Sequence, residues 1–147
     1  MRTYVVTGSA SGVGAAVQSK LEAAGHRVIG IDLAGAEVVA DLSTPEGRSS
    51  AVEAVLNASE GTVDAIIACA GISHPVPQTI SVNFYGVVDL LTALQGTLAK
   101  SGAPRAVAIS SMATLQANDP KLVGLCLTAD ETQALARAAE LAAGGPE

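Results

Sequence analysis

A chain of 147 residues has the length of one ordinary domain, and a hydrophobic content of 49% is enough to build a packed core. A net charge of -6 and a pI near 4.8 leave no basic patch for a phosphate backbone, which argues against a nucleic-acid partner. The two cysteines, Cys69 and Cys126, show neither framework spacing nor a nearby His cluster, which excludes a disulfide scaffold and a zinc site and points to a reducing compartment.

Aromatic residues are scarce, with one Phe, two Tyr and no Trp, and the abundant small aliphatic residues suit helices packed closely on a buried parallel sheet. In chain order, Thr3 to Thr7 is a short β-branched run that reads as a strand. Strand-like residues this early leave no room for a secretory leader, and no apolar run reaches membrane-spanning length, so a cytoplasmic chain with no membrane partner is expected. Gly8 to Gly14 follows as a loop of small residues, and Ala15 to Ala24 has helical composition ended by Gly25. Arg27 to Ile31 reads as a second buried strand with Asp32 at its carboxyl end, which closes a first βαβ unit.

Val38 to Ala40 reads as a short third strand. Ser43 or Thr44 then caps a helix with Pro45 at its first turn, running to about Ala58. Val63 to Ala70 is a continuous apolar run bounded by Gly61 and Gly71, as expected of a central parallel strand covered on both faces. Beyond a loop at His74 to Pro77, Thr79 to Lys100 predicts several helical turns, and Ala106 to Ser110 predicts another buried strand. Met112 to Ala129 is less regular and holds the turn signal Asn118-Asp119-Pro120, after which Asp130 caps a last Ala-rich helix to about Ala143. Strands alternate with helices, so the fold class is α/β, with a Rossmann-type doubly wound parallel sheet over residues 1–147.

The loop Thr7-Gly8-Ser9-Ala10-Ser11-Gly12-Val13-Gly14 is T-G-x-x-x-G-x-G between a strand and a helix, the place where backbone amides and a helix N-terminus favour a pyrophosphate. Asp32 follows about 20 residues further on, where a carboxylate accepts hydrogen bonds from ribose hydroxyls and repels a 2′-phosphate. Leu33 comes next, and no Lys or Arg lies in the glycine loop to neutralise that phosphate. The cofactor expected from these residues is NAD rather than NADP. His74 is a loop His with no partner nameable from sequence, and Cys69 at an apolar strand end reads as a small buried hydrophobe.

These motifs resemble the short-chain dehydrogenase/reductase family, whose glycine motif is T-G-x-x-x-G-x-G. Other matches occur in the family's order along the chain. Ala40-Asp41-Leu42 looks like the adenine-binding Asp and its neighbour, and Cys69-Ala70-Gly71 looks like the N-A-G motif with Cys in place of Asn. Asn83 looks like the helix Asn that holds a proton-relay water through its backbone, and Ile109-Ser110-Ser111 looks like the strand end that bears the catalytic Ser. Ser110 and Ser111 compete for that register, and the motif alignment prefers Ser111. A closer resemblance is to the bacterial 3α-hydroxysteroid dehydrogenase/carbonyl reductase branch, on Leu21 to His26 and Ala40 to Thr44, with Met112 to Glu147 looking like that branch's insertion.

The resemblance implies an NAD-dependent oxidoreductase that interconverts a secondary alcohol and a ketone, a hydroxysteroid or other carbonyl compound, in a homo-oligomer without a metal. Catalysis would fall to Ser111 and Asn83. The family's Tyr-x-x-x-Lys pair is missing, since Gly8 lies four residues after Tyr4 and Asp89 four after Tyr85. Nor does a later strand cover the apolar Ala106 to Ser110 run. The expectation is therefore the N-terminal part of a longer single-domain enzyme, lacking its C-terminal strands. The competing reading is a dinucleotide-binding module without catalysis.

Overall fold

The computed structural model describes residues 1–144, and its centre is a five-stranded sheet, parallel throughout, in the order β3-β2-β1-β4-β5. The strands are β1 (Thr3–Thr7), β2 (Arg27–Asp32), β3 (Val38–Val39), β4 (Ala65–Ala68) and β5 (Arg105–Ala108). The helices are α1 (Gly12–Ala23), α2 (Pro45–Ala58), α3 (Gln78–Ile80), α4 (Gly86–Leu98), α5 (Pro120–Leu127) and α6 (Glu131–Ala143). A π-helical turn, Ser81–Tyr85, joins α3 to α4, and a 3-10 turn, Met112–Leu115, precedes α5. None of these helices is long and apolar enough to cross a membrane.

Alternation along the strands sends side chains to two faces. Val5, Ile29, Ile31 and Ile66 are wholly buried in one cluster with Ala51 and Val55 of α2 and Leu90 and Leu94 of α4. Val6 and Val28, one position out of phase, are also buried but lie outside that cluster, on the side where α1 packs on β1 and β2. Each such aliphatic side chain contributes roughly 1.5–3 kcal/mol by leaving water. Layers on both faces make the sheet doubly wound, as the alternating pattern predicts.

Strand order sets the position of the cleft. The chain steps from β1 outward through β2 to β3, then crosses back to β4 on the other side of β1 and on to β5. The connections leaving β1 and β4 therefore diverge at their carboxyl ends, and a crevice opens there.

Several boundaries differ from the sequence expectation. Helix α1 begins at Gly12 rather than Ala15, because Gly12 to Gly14 form its first turn, and β4 covers only the central four residues of the apolar run Val63 to Ala70. Of the two candidate caps for α2 it is Thr44 that serves, its hydroxyl accepting the Gly47 amide at 3.0 Å. The irregular stretch after Met112 contains the eight-residue helix α5, capped by Asp119. β5, expected to be buried, is exposed along its whole length: it pairs with β4 on one edge and no described element pairs with the other.

Candidate functional site

A cleft of about 390 Å³ lies at the carboxyl ends of β1, β2 and β4. Its walls come from three stretches far apart in sequence. The first is the glycine loop with the start of α1, represented by Gly8, Ser11, Gly12, Val13 and Gly14. The second is the end of β2 and the segment after β3, with Asp32, Leu33, Asp41 and Leu42. The third is the segment after β4, with Cys69, Ala70 and Gly71. Ile31, Ala40, Ile72 and Val82 complete the lining; Ala40 belongs to the Ala40-Asp41-Leu42 stretch, and the other three adjoin motif residues.

The glycine loop takes its shape from close backbone packing. Gly8 has φ +66, a region that L side chains avoid, and a Cβ there would stand 2.9 Å from the Ala70 backbone. At Gly14 a Cβ would stand 2.0 Å from the Gly8 carbonyl oxygen, so the first turn of α1 lies directly on the loop. Thr7 Oγ1 accepts the amides of Cys69 at 3.1 Å and Ala70 at 2.9 Å, tying the end of β1 to the third wall. Thr7 is the anchor the motif reading passed over. The T of T-G-x-x-x-G-x-G was visible, but its partners 62 and 63 positions away were not.

The N-terminus of α1 is open to an anion. Ser11 at the cap position makes no side-chain hydrogen bond, and the amides of Gly12, Val13 and Gly14 have no acceptor within the helix. Nothing lies within 4 Å of the place a Gly12 Cβ would take, so the space in front of that turn is clear. A diphosphate fits there by charge and by shape.

Asp32 closes the second wall. Its Oδ2 accepts the Ala10 amide at 2.9 Å and its Oδ1 accepts the Leu33 amide at 2.7 Å, which fixes the carboxylate against the loop while it still lines the cleft. A carboxylate offers about four lone-pair positions, so two amides leave capacity for ribose hydroxyls. None of the lining residues is Lys or Arg. Asp41 Oδ1 accepts the Ser43 amide at 2.9 Å, and the Cys69 thiol has its pKa pushed up by burial, which keeps it protonated and unreactive at neutral pH.

The remaining expected residues stand apart from the lining. Ser9 is buried behind the loop, its hydroxyl near Gly30 and without a hydrogen-bond partner among the described residues, and the Ala10 side of the loop faces Gly35. Asn83 lies in the π turn, where Oδ1 accepts the Ile72 amide and Nδ2 donates to the Ile72 carbonyl, both at 2.9 Å. That two-point clasp fixes the segment after Gly71 at the cleft mouth. Ser111 is exposed and caps the 3-10 turn, its hydroxyl oxygen accepting the Ala113 amide at 3.1 Å. His74 is exposed, and its carbonyl accepts the Thr79 hydroxyl at 2.6 Å. The tyrosines are distant in role: Tyr4 lies on β1 against His26, and Tyr85 is buried, with burial foremost and neighbouring Cys126 and Glu131 pushing its pKa up to about 12.

Comparison with known proteins agrees with this geometry. The short chain dehydrogenase family model matches residues 2–122. The chain is 43% identical over 145 residues to the 3-alpha-hydroxysteroid dehydrogenase/carbonyl reductase of Comamonas testosteroni, covering 94% of this chain and 55% of that protein. Among solved structures it is similar to the 3-alpha-hydroxysteroid dehydrogenase from Pseudomonas sp. B-0831 complexed with NADH, with TM-score 0.89, 40% identity, and coverage of 94% of this chain and 56% of that one. A short chain dehydrogenase/reductase from Brucella ovis shares the fold at TM-score 0.70 and 24% identity, over 80% of this chain and 65% of that one. The chain thus spans about half the length of the curated relative it matches.

Proposed function

The chain belongs to the short-chain dehydrogenase family, and from that premise we propose that it binds NAD in the cleft at the carboxyl ends of β1, β2 and β4. A protein carrying it is then an oxidoreductase interconverting a secondary alcohol and a ketone, with a hydroxysteroid or related carbonyl compound as substrate. The observation that carries the reading is the pairing of an uncapped α1 N-terminus with the Asp32 carboxylate in one cleft that has no cationic lining residue. The substrate class rests on the names of the relatives from Comamonas testosteroni and Pseudomonas.

In this reading the first-turn amides of α1 hold the diphosphate, Asp32 takes the adenosine ribose hydroxyls, and Asp41 and Leu42 flank the adenine. Ala70 and Gly71 border the path toward the nicotinamide. The bound nicotinamide supplies hydride transfer, chemistry that belongs to the cofactor. Ser111 uses a lone pair to cap the 3-10 turn, which leaves its O–H free to donate to a substrate oxygen and stabilise charge developing there. The Asn83 side chain is committed to Ile72, so its part in a proton relay falls to its main chain.

Titration of the protein with NADH and NADPH by calorimetry tests the reading. Saturable binding with a clear preference for NADH supports it, and equal binding of both cofactors overturns the role given to Asp32. A second reading is favoured by one specific observation: neither tyrosine is followed four residues later by a Lys, and Tyr85 is buried with its pKa pushed up to about 12. On that reading these 147 residues bind the dinucleotide without performing proton transfer. NADH binding without turnover of a secondary alcohol by the 147-residue chain supports it, and robust turnover refutes it.

A further inference from the structure

A buried guanidinium is one link between the cleft and the α5–α6 hairpin, beside the packing of α6 on the π turn that carries Val82. Arg48, on α2, is 2% exposed and bonded to three separate parts of the chain at once. Its Nη1 donates to the Leu42 carbonyl at 3.2 Å, its Nε to Asp89 of α4 at 2.6 Å, and its Nη2 to Glu131 at the start of α6 at 2.5 Å. The Arg48 guanidinium also lies 5.9 Å from the centre of the Tyr85 ring. Leu42 lines the cleft; no residue of α6 does.

We propose that Arg48 is a positioning residue for the cleft, and that through it dinucleotide binding and the docking of α6 are thermodynamically coupled. The inference rests on the reading of the cleft as a dinucleotide site. A buried cation needs its acceptors, and losing one leaves it incompletely compensated. When the first turn of α6 opens, Nη2 loses Glu131, and the guanidinium gains by turning toward solvent or toward Asp89. Either movement withdraws Nη1 from the Leu42 carbonyl and loosens the wall the ligand touches.

Glu131 is committed to this contact. Its Oε2 is held by Arg48, while Oε1 is buried with no hydrogen-bond partner among the described residues. Docked and opened α6 are the two states, and the ligand prefers the docked one because there the Leu42 carbonyl keeps its bond to Arg48. Linkage is reciprocal: the factor by which α6 docking tightens the ligand is the factor by which the ligand tightens α6 docking.

Amide hydrogen exchange on the full 147-residue chain, with and without saturating NAD, tests this. Helices held by few contacts exchange through local opening below the global unfolding free energy, so a ligand slows them only if their opening is coupled to its site. NAD is expected to slow exchange in α6 by about fivefold or more although it touches no α6 residue. In Glu131→Gln that slowing disappears, the slowing in α1 stays, and the NAD dissociation constant rises by the same factor. Arg48→Lys, which keeps the charge but not the three-way geometry, does the same if Glu131→Gln is poorly folded. A merely structural Glu131 would lower thermal stability while leaving the NAD-dependent slowing of α6 in place, which overturns the inference. Saturable NAD binding with no slowing in native α6 also overturns it and leaves the cleft reading standing. Failure of NAD to bind overturns both.

Discussion

The carboxylate of Asp32 accepts the backbone amide of Ala10 at 2.9 Å, so the end of β2 and the glycine loop hold one another in place. The same carboxylate lines the cleft, which makes it both a brace for the loop and the group that meets the ribose. Asp32→Asn keeps one acceptor oxygen for the loop and removes the charge. It is expected to narrow the preference for NADH over NADPH by about tenfold or more, since hydrogen bonds to charged groups contribute roughly 1.5–3 kcal/mol. Asp32→Ala should narrow it as far and also loosen the loop. An unchanged ratio of dissociation constants in both variants would remove Asp32 from the site.

Two glycines of the same loop should fail in different ways. A Cβ at Gly14 would stand 2.0 Å from the Gly8 carbonyl oxygen, a backbone atom that cannot turn aside, so Gly14→Ala should lower stability by roughly 1–3 kcal/mol and weaken binding with it. Gly12 has open space where its Cβ would stand, and its φ is +52. Gly12→Val therefore keeps a folded core, apart from roughly 1–2 kcal/mol of backbone strain, and places a branched side chain where the diphosphate would lie. Thermal unfolding and NADH titration of both variants separate the cases. NADH binding at native strength by folded Gly12→Val would show that the phosphate lies elsewhere.

Thr7 should matter through its hydroxyl rather than its size. The side chain is 2% exposed and Oγ1 receives two amides from the segment after β4. Thr7→Val keeps the shape and leaves both amides without that acceptor, an expected loss of about 2 kcal/mol or more, as buried unsatisfied donors cost roughly 1–3 kcal/mol each. Thr7→Ser should recover most of it. Denaturant unfolding of the three proteins checks this, and equal stability of the Thr7→Val protein and the native one would mean the amides find another partner.

What the sequence made legible follows from the range of each interaction. The T-G-x-x-x-G-x-G loop, Asp32 and the Cys69-Ala70-Gly71 corner were readable because each is a local pattern at a strand end, and the parallel sheet brings strand ends together. The start of α1 was placed three residues late because Gly12 and Gly14 have poor intrinsic helix propensity, which the tight packing of Gly14 on Gly8 overrides. The free edge of β5 was readable from the lack of a later strand, but the exposure of its side chains was not, since that depends on what packs over a strand rather than on the strand. Nor was the bond from Arg48 to Glu131, a pair 83 positions apart on two different helices.

The α5–α6 hairpin should open in acid, and Asp119 decides where. As the cap of α5, Asp119 accepts the Leu122 amide through Oδ1 at 2.7 Å, and it also takes a two-pronged bond from Arg137 of α6, with Nη2 to Oδ2 at 2.7 Å and Nε to Oδ1 at 3.2 Å. The Arg137 hydrogen bonds, with the Leu122 amide second, lower its pKa from 3.8 to about 2. Because the folded value lies below the unfolded one, the stability this carboxylate contributes is complete above about pH 4 and is lost as pH falls toward 2. The group is partly exposed, so salt should weaken the effect. The Leu122 and Arg137 amide resonances are expected to titrate together with a midpoint near 2, and in Asp119→Asn this step should vanish and hairpin amide exchange should be faster already at neutral pH. A native midpoint close to 4 would mean that Arg137 does not hold the carboxylate in solution, and that other contacts keep the hairpin closed.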